Sequence, residues 1–296
     1  MKAFLFLFLL VPGLSIGDET EQPVDPLEDW SGRALLDLVS ERHQQYPNVY
    51  EEQSMVLIDQ SGHKNTRKLR RYSRVDESGT ANFLLLFDSP LDIKGVALLA
   101  QREQNGRSEQ SFYLPAFGET FIENTPGQAG KSEDNFLGTD YSIENLVGDL
   151  LDHHMQVRKD DITINKTDYY VVDVYNLGSR AEDQPIRRHY IRKDNLYISR
   201  TDHFDEIGRL QKRQTSHDLT NVHGDMWRAN MMMMENLQQE HRTIIKINRR
   251  VFSADYVPVE VFSESWIVAN QPPLYSEYGS GDSSGDISGD SSGDGF

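Results

Sequence analysis

The sequence predicts a mainly β protein of the α+β class, in which the strands form an antiparallel meander. From Asn48 onward, apolar and polar side chains alternate with a period of two, which is typical of half-buried strands. Short turn sequences, including Ser61-Gly62 and Ile207-Gly208, join many of these segments. Strands joined by short turns pair antiparallel, whereas parallel strands require long crossover connections, so a parallel α/β sheet is disfavoured.

Residues 1–17 predict a secretory signal peptide. Lys2 is followed by an apolar run from Ala3 to Leu14, and small residues then lie at the spacing that a signal peptidase reads. The run is short for a membrane span. Residues 18–26 are acidic and predict a disordered leader. We therefore expect an exported protein from which this signal is cleaved.

The composition narrows the class of protein further. The chain contains no cysteine and carries a formal net charge of −17. An exported chain without cysteine depends on core packing rather than on disulfides, and it cannot carry the cysteine-linked acyl chain of a bacterial lipoprotein. An acidic surface repels nucleic acid and anionic headgroups. We therefore expect no nucleic-acid partner and only peripheral or transient contact with membranes.

One amphipathic helix is predicted near residues 27–44, ahead of the strands. Trp30, Leu35 and Leu38 recur there at helical spacing, between two prolines. The strand-like segments that follow form two series. The first series lies near residues 48–59, 64–74, 80–88, 94–103 and 108–122. The second series lies near residues 154–164, 167–176, 186–193, 195–204, 208–218, 222–235 and 238–249.

The segment 124–152 separates the two series of strands. It is rich in glycine and aspartate at first and becomes helix-like from about Ser142. Loops of this length inside compact domains are usually lids or binding loops. We interpret it as a lid whose base is fixed by Asp140 and Tyr141; a simple turn before a helix is an equally good interpretation. The folded domain is expected to span residues 27–270.

Residues 271–296 predict a disordered acidic tail in which Ser-Gly-Asp repeats. The repeat matches the G-x-S-x-G hydrolase pattern literally, but it lacks the strand–turn–helix context that this motif needs. P-loop and dinucleotide-binding fingerprints are absent. His217 and His223 fall on neighbouring predicted strands without a carboxylate or cysteine at ligand spacing. We expect no catalytic residues, no metal site and no cofactor.

The central strands are apolar on both faces. Phe83, Leu85 and Phe87 share one face of their segment, and Leu84 and Leu86 share the other. A single curved sheet has this pattern when one face holds a helix and the other lines a cavity. A two-layer sandwich with covering loops has the same pattern. Both interpretations stay open on the residues alone.

The run Asn230 to Asn236, NMMMMEN, places methionines on both faces of a predicted strand. Trp227, Met231 and Met233 share one face, and Met232 shares the other with Met234. One pair can therefore pack as core while the other faces a cavity.

Four stretches occur in order along the chain: FLLLFDSPLDIKGVALL, FYLPAFGE, NFLGTDYSIENL and HGDMWRANMMMMENLQ. In this order they resemble the LolA-like outer-membrane lipoprotein-sorting family, over roughly residues 27–265. The most specific pieces are residues 88–95, 113–115 and 137–141. The stretch AFGETFIEN is acidic and lacks the basic residues that family members usually carry there.

This resemblance implies an incomplete β-barrel made from a curved antiparallel sheet and closed by the N-terminal helix and a helical lid. Its apolar interior would shield a lipid or the acyl chain of a lipidated protein in the periplasm, with an inner-membrane export transporter as a partner. The cavity residues predicted on this basis are Phe83, Leu85, Phe87, Val96, Leu98, Trp227, Met231 and Met233. The lid residues are Trp30, Leu35, Leu38, Asp140 and Tyr141.

Three classes of function are compatible with these features. The first is a periplasmic carrier or chaperone that moves a lipid or lipidated protein between membranes. The second is a non-catalytic adaptor that docks on an export transporter or an outer-membrane assembly without a ligand, and it predicts a filled interior. The third is a hydrolase, which would need a cleft with a convergent acid–base pair. The sequence favours the carrier.

Overall fold

The structure, a computed structural model, describes residues 25–105, 107–115, 121–124, 135–148, 151–180 and 183–272. The chain divides into two units, residues 1–30 and 31–296. In the first unit, residues 26–29 form a turn. The predicted signal peptide, most of the predicted leader and residues 273–296 of the predicted tail lie outside the described residues. None of the described helices is both long and apolar enough to cross a membrane.

The strands of the second unit form a single antiparallel sheet of thirteen strands. The first six are β1 (Asn48–Ile58), β2 (Lys64–Val75), β3 (Ala81–Ser89), β4 (Ala97–Arg102), β5 (Ser108–Tyr113) and β6 (Phe121–Asn124). The others are β7 (His154–Ile164), β8 (Thr167–Asn176), β9 (Arg187–Arg192), β10 (Ile198–Phe204), β11 (Leu210–His223), β12 (Met226–Asn236) and β13 (His241–Val251). The predicted strand 108–122 is thus two strands, β5 and β6.

The strand order is β6-β5-β4-β3-β2-β1-β13-β12-β11-β10-β9-β8-β7. Every neighbouring pair is consecutive in the chain except β1 and β13, which join two meanders at the middle of the sheet. The strands β6 and β7 form its two edges, so the sheet is not closed. The predicted mainly β class, the antiparallel meander and the unclosed curved sheet are confirmed.

The helix α1 (Gly32–His43) begins after Ser31, whose hydroxyl accepts a hydrogen bond from the backbone of Ala34 at 3.2 Å. The predicted helix over residues 27–44 is therefore shorter at its start. A Cβ atom on Gly32 would lie 3.0 Å from the backbone nitrogen of Arg158. Glycine thus allows the first turn of α1 to pack directly on β7.

The buried side of α1 is formed by Leu35, Leu36, Val39 and His43. Of the predicted lid residues, Leu35 is buried and Leu38 is half-buried. Trp30 precedes the helix, belongs to the first unit and is 39% exposed. Two sets of residues in this region have helical spacing. The set that faces the sheet is Leu35, Leu36, Val39 and His43, and it is not the predicted stripe.

The two faces of the sheet are covered by different segments. We call the face that carries Phe83, Leu85 and Phe87 the inner face and the opposite one the outer face. Apolar side chains of 135–148 pack on the inner face. On the outer face, Leu84 and Leu86 pack under the C-terminal segment 254–269, which includes α3 (Glu264–Ala269). Two covers on one sheet therefore explain the doubly apolar strands, and the described residues form no second sheet.

Candidate functional site: a cavity beneath two helices

A cavity of 370 Å³ lies over the inner face, between α1, α2 (Ile143–Val147) and strands β7 to β12. Its apolar lining consists of Leu36, Val39, Leu151, Val174, Ile198 and Met232. Its cationic or imidazole side chains are Arg187, Arg200, Arg228, His43, His154, His189 and His203. Glu144 is the one carboxylate among the lining residues that the structure describes. The cavity lining is thus partly apolar and partly basic, although the whole chain is acidic.

The segment 135–148, which we call the cover segment, bounds the cavity through α2. Its helix begins with a capping box, in which the Ser142 hydroxyl accepts from Asn145 N at 3.2 Å and the Asn145 side chain accepts from Ser142 N at 3.1 Å. Just before it, Leu137 has φ 48° and Gly138 has φ 74°. These left-handed residues turn the chain so that the cover segment folds back onto the sheet.

Asp140 attaches the cover segment to β13. Its carboxylate Oδ2 accepts from Thr243 Oγ1 at 2.8 Å and is paired with His241 Nδ1 at 2.7 Å. Its backbone nitrogen donates to the same Thr243 hydroxyl at 3.0 Å. Asp140 and Thr243 are fully buried, so these hydrogen bonds compensate for the loss of water around Oδ2, whereas Oδ1 is buried without a partner among the described residues.

Two further strands hold the cover segment through its carbonyl groups. Arg67 of β2 donates to the carbonyl oxygen of Leu137 at 2.8 Å. Lys212 of β11 donates to the carbonyl oxygen of Asp140 at 3.1 Å and to Asn135 Oδ1 at 2.7 Å. The cover segment is therefore fastened to strands from both meanders.

Apolar side chains of the cover segment fill the space over β3 and β4. Phe136 lies with its ring centroid 6.1 Å from Phe87 and 5.9 Å from Phe112. Tyr141 is 1% exposed in the same cluster, and burial raises the pKa of its hydroxyl. The predicted lid residues Asp140 and Tyr141 thus have separate roles, one as a polar attachment and the other as apolar filling.

The predicted cavity residues lie in three places relative to the cavity. Phe83, Leu85, Phe87, Val96 and Leu98 belong to the packed inner cluster beneath the cover segment. None of them is among the residues that line the cavity. They are between 0% and 8% exposed, because the cover segment and the neighbouring strands fill the space in front of them.

On β12, the residues that line the cavity are Arg228 and Met232. The predicted residues Trp227, Met231 and Met233 have the opposite parity along the strand, and all three are half-buried. The parity follows from β13, where Met232 pairs with the buried Ile245 of the inner cluster. Met234, of the same parity, is completely buried in that cluster.

The end of α1 fixes one end of the cavity. His43 Nε2 lies 3.1 Å from the carbonyl oxygen of Leu196, and His43 Nδ1 accepts from the backbone nitrogen of Trp227 at 3.1 Å. This pattern requires a neutral ring with its proton on Nε2. Burial lowers the pKa of His43, and the charge of Arg228 contributes in the same direction. The ring also contacts Tyr197 edge-on, with 5.2 Å between centroids.

Beside this end lies a group of arginines around one carboxylate. Glu51 is buried and accepts from Arg250 Nε at 2.6 Å, and Arg71 Nη1 is 3.6 Å away. Burial alone would favour the neutral acid, but Arg71 and Arg250 outweigh it and lower the pKa of Glu51. Arg71 and Arg250 thus face the same anion, Glu51. Arg228 adds a third positive charge nearby.

No group of three or more histidine or acidic side chains among the described residues could hold a metal ion. His217 Nε2 contacts Thr215 Oγ1 at 2.8 Å within its own strand. The sequence gives no local sign that the histidines of the cavity wall lie together, because they lie on four different elements. Pairing of Val174 with Arg187, and of Thr201 with His189, is what brings their strands together there.

A family model described as "Uncharacterized protein" matches residues 79–268, which is more than half of the chain. The chain belongs to this family. No curated protein matches the chain significantly. The matched region includes the cover segment and strands β3 to β13 in full.

Solved structures with similar folds are more informative about architecture. An outer membrane lipoprotein-sorting protein domain from Vibrio parahaemolyticus has a TM-score of 0.71 at 20% identity, covering 80% of this chain and 97% of its own. A DUF1329 family protein from Desulfovibrio piger gives 0.68 at 20% identity, with 80% and 98% covered. A LolA superfamily protein from Nitrosomonas europaea gives 0.60 at 14% identity, with 80% and 99% covered. The resemblance to the LolA-like family is confirmed at the level of the fold.

Proposed function

We propose that this protein is a periplasmic carrier that shields a lipid, or the acyl chain of a lipidated protein, during transfer between membranes. The observation that supports it is the cavity on the inner face of an unclosed sheet, roofed by α1 and α2. Structures with the same fold include a lipoprotein-sorting domain and a LolA superfamily protein. The role is binding rather than catalysis.

The apolar part of the cavity wall suits an alkyl chain. Leu36 and Val39 contribute from α1, and Met232 contributes from the sheet. Each methylene group removed from water stabilises a complex by about 0.8 kcal/mol. Methionine adapts to chains of irregular shape because its side chain is unbranched and flexible. An alkyl chain therefore gains free energy by entering this space.

The cover segment is the part that we expect to move when a larger cargo binds. It lies over the inner cluster, which contains the predicted residues Phe83, Leu85, Phe87, Val96 and Leu98. Movement of Phe136 and Tyr141 away from the sheet would expose this cluster to the cavity. We assign these predicted residues the role of contacting acyl chains after the cover segment has shifted.

The cellular setting of the proposal rests on the N-terminal residues and on charge. Residues 1–17 have the pattern of a cleaved signal peptide. Removal of residues 1–17, whose one charged side chain is Lys2, changes the formal net charge from −17 to −18, and this charge keeps a loaded carrier soluble and away from anionic membrane surfaces between transfers. We propose a lipid or lipidated protein as cargo and an inner-membrane export transporter as partner.

Native mass spectrometry and lipid extraction of the purified protein test the carrier role. We expect a co-purifying lipid, or binding of added dodecyl maltoside by the stripped protein. Val39→Trp should abolish binding because the larger side chain fills the cavity. Val75→Trp is the matched control, since Val75 is 44% exposed on β2. A folded protein that carries no lipid and binds no amphiphile overturns the carrier.

The adaptor is the second candidate, and the packed inner cluster favours it. Phe87 and Leu98 are completely buried, as an adaptor with a filled interior requires. If the protein is an adaptor, the unsubstituted protein and the Val39→Trp variant should bind the transporter with equal affinity. A carrier would lose lipid transfer in the same variant.

A further inference from the structure

Arg228 is a cation on the cavity wall whose side chain makes no hydrogen bond or ion pair with any residue described in the structure. It is half-buried on β12. Burial lowers the pKa of its guanidinium, and the charges of Arg250 and Arg71 act in the same direction. A guanidinium that loses part of its hydration is stabilised when an acceptor replaces the lost water. The five N–H donors of Arg228 have no acceptor among the described residues.

The carboxylate nearest to this arginine in the network is already engaged. Glu51 accepts from Arg250 and from the Gln53 side chain, at 2.6 and 2.7 Å, and it also faces Arg71. Arg250 completes its own set of bonds with the carbonyl oxygen of Ala229 at 2.9 Å. The network therefore has an excess of positive charge on the side of Arg228.

Tyr197 offers a second donor at the same end of the cavity. Its hydroxyl oxygen accepts from the backbone nitrogen of Ala229 at 3.3 Å, and its hydroxyl hydrogen has no acceptor among the described residues. Tyr197 lies on the cavity wall and is close enough to Arg228 for the two groups to interact electrostatically. One guanidinium and one hydroxyl thus lie on the same cavity wall, and their hydrogens have no acceptor among the described residues.

The strand register separates Arg228 from Met232 along the cavity wall. Arg228 pairs with Thr220 on β11, whereas Met232 pairs with Ser216 farther along the same strand. These positions are separated by roughly 13 Å of strand. Apolar Leu36 and Val39 lie on α1 above this part of the sheet. A ligand that satisfies both ends has a compact anionic group joined to an apolar chain.

We propose that the cargo is an anionic amphiphile whose phosphate or phosphate-like head is bound by Arg228 and Tyr197, with its alkyl chain along Leu36, Val39 and Met232. This inference rests on the proposed carrier function and names the chemistry of the cargo. The acidic exterior repels anionic surfaces while the cavity attracts a single anionic head. Selection therefore occurs inside the protein, for molecules that have already left a membrane.

Isothermal titration calorimetry with three probes, below their micelle concentrations, tests this inference on the full chain without its signal. The probes are dodecyl phosphate, dodecyl maltoside and inorganic phosphate. We expect Arg228→Gln to weaken the binding of dodecyl phosphate by about tenfold to a hundredfold, which is the range for hydrogen bonds to a charged group. Dodecyl maltoside should bind both proteins equally. Arg242→Gln, at an exposed position on β13, is the charge-matched control and should bind as the unsubstituted protein does.

The outcomes separate this inference from the function on which it rests. If dodecyl maltoside binds but Arg228→Gln leaves the affinity for dodecyl phosphate unchanged, recognition of an anionic head by Arg228 is disproved and the carrier function is supported. If neither amphiphile binds the unsubstituted protein, the carrier itself is disproved. If inorganic phosphate binds as tightly as dodecyl phosphate, the site takes a free anion and the amphiphile is disproved. Arg228→Lys should retain part of the affinity, because it keeps the charge but not the planar fork.

Discussion

The attachment of the cover segment by Asp140 can be tested with one nearly isosteric substitution, Thr243→Val. The Thr243 hydroxyl donates to the Asp140 carboxylate at 2.8 Å and accepts from the Asp140 backbone nitrogen at 3.0 Å. Valine removes both hydrogen bonds without leaving a cavity. Since both residues are 0% exposed, water does not replace the lost hydroxyl.

The expected loss of stability follows from the two bonds. A hydrogen bond to a charged group contributes about 1.5–3 kcal/mol, and an unsatisfied buried N–H costs about 1–3 kcal/mol. Thr243→Val should therefore lower the free energy of unfolding by roughly 3–5 kcal/mol. Thr243→Ser is the matched control, because it keeps the hydroxyl and loses one methyl group, at about 1 kcal/mol.

Urea denaturation and amide hydrogen exchange measure the two variants together. We expect the midpoint of Thr243→Val to lie well below that of Thr243→Ser, and the amides of residues 136–147 to exchange faster. Faster exchange in these residues alone, without a change in midpoint, would mean that the cover segment opens independently of the sheet. Equal midpoints and equal exchange in the two variants would refute the assigned role of the Asp140–Thr243 bonds.

Three further predictions concern the cavity and the core. Burial lowers the pKa of His203 from 6.5 to about 3. Below about pH 6.5 the unfolded chain therefore binds more protons than the folded chain, and the urea midpoint should fall as the pH is lowered from 7 to 5. In His203→Gln the midpoint should fall less steeply over the same pH range. In a chain without cysteine, a solvatochromic maleimide dye on Met232→Cys should shift to the blue with dodecyl maltoside, whereas the same dye on Val75→Cys should not shift. Leu98→Ala should lower the free energy of unfolding by about 3–4 kcal/mol, because it leaves a cavity in the inner cluster. Leu91→Ala, at a 73% exposed position, should change the free energy of unfolding by less than about 0.5 kcal/mol. Equal urea midpoints for Leu98→Ala and Leu91→Ala would contradict the packing described for the inner cluster.

Much of the fold could be predicted because its signals are local. Period-two alternation and short turns located β1 to β4 and β7 to β13 to within about five residues at each end, whereas the predicted strand 108–122 merged β5 and β6. The start of α1 was placed too early, because the Ser31 cap competes with an apolar stripe that includes Trp30. The sequence shows that the central strands are apolar on both faces. It does not show that residues 254–269 cover the outer face, because these residues have the pattern of an irregular C-terminal segment.

The cavity was harder to predict because its walls come from residues far apart in sequence. His43 meets the backbone of Trp227 only through the docking of α1 on the sheet. The alternation in NMMMMEN gives two faces but does not say which one points inward. That choice is made by the pairing of Met232 with Ile245 on β13. Arg228 looks like an ordinary charged strand residue until the arginines around Glu51 are placed beside it.

The pairing of β1 with β13 also has a consequence for how the chain reaches its folded state. Each meander consists of hairpins between consecutive strands, and such local contacts form quickly. The central pair, in contrast, joins Tyr50 to Val251 and closes a loop that includes nearly the whole domain. Until β13 is available, one edge of β1 has no partner and can pair with other chains. During synthesis, the first meander therefore emerges well before the strand that protects it, and this period is when aggregation is most favoured.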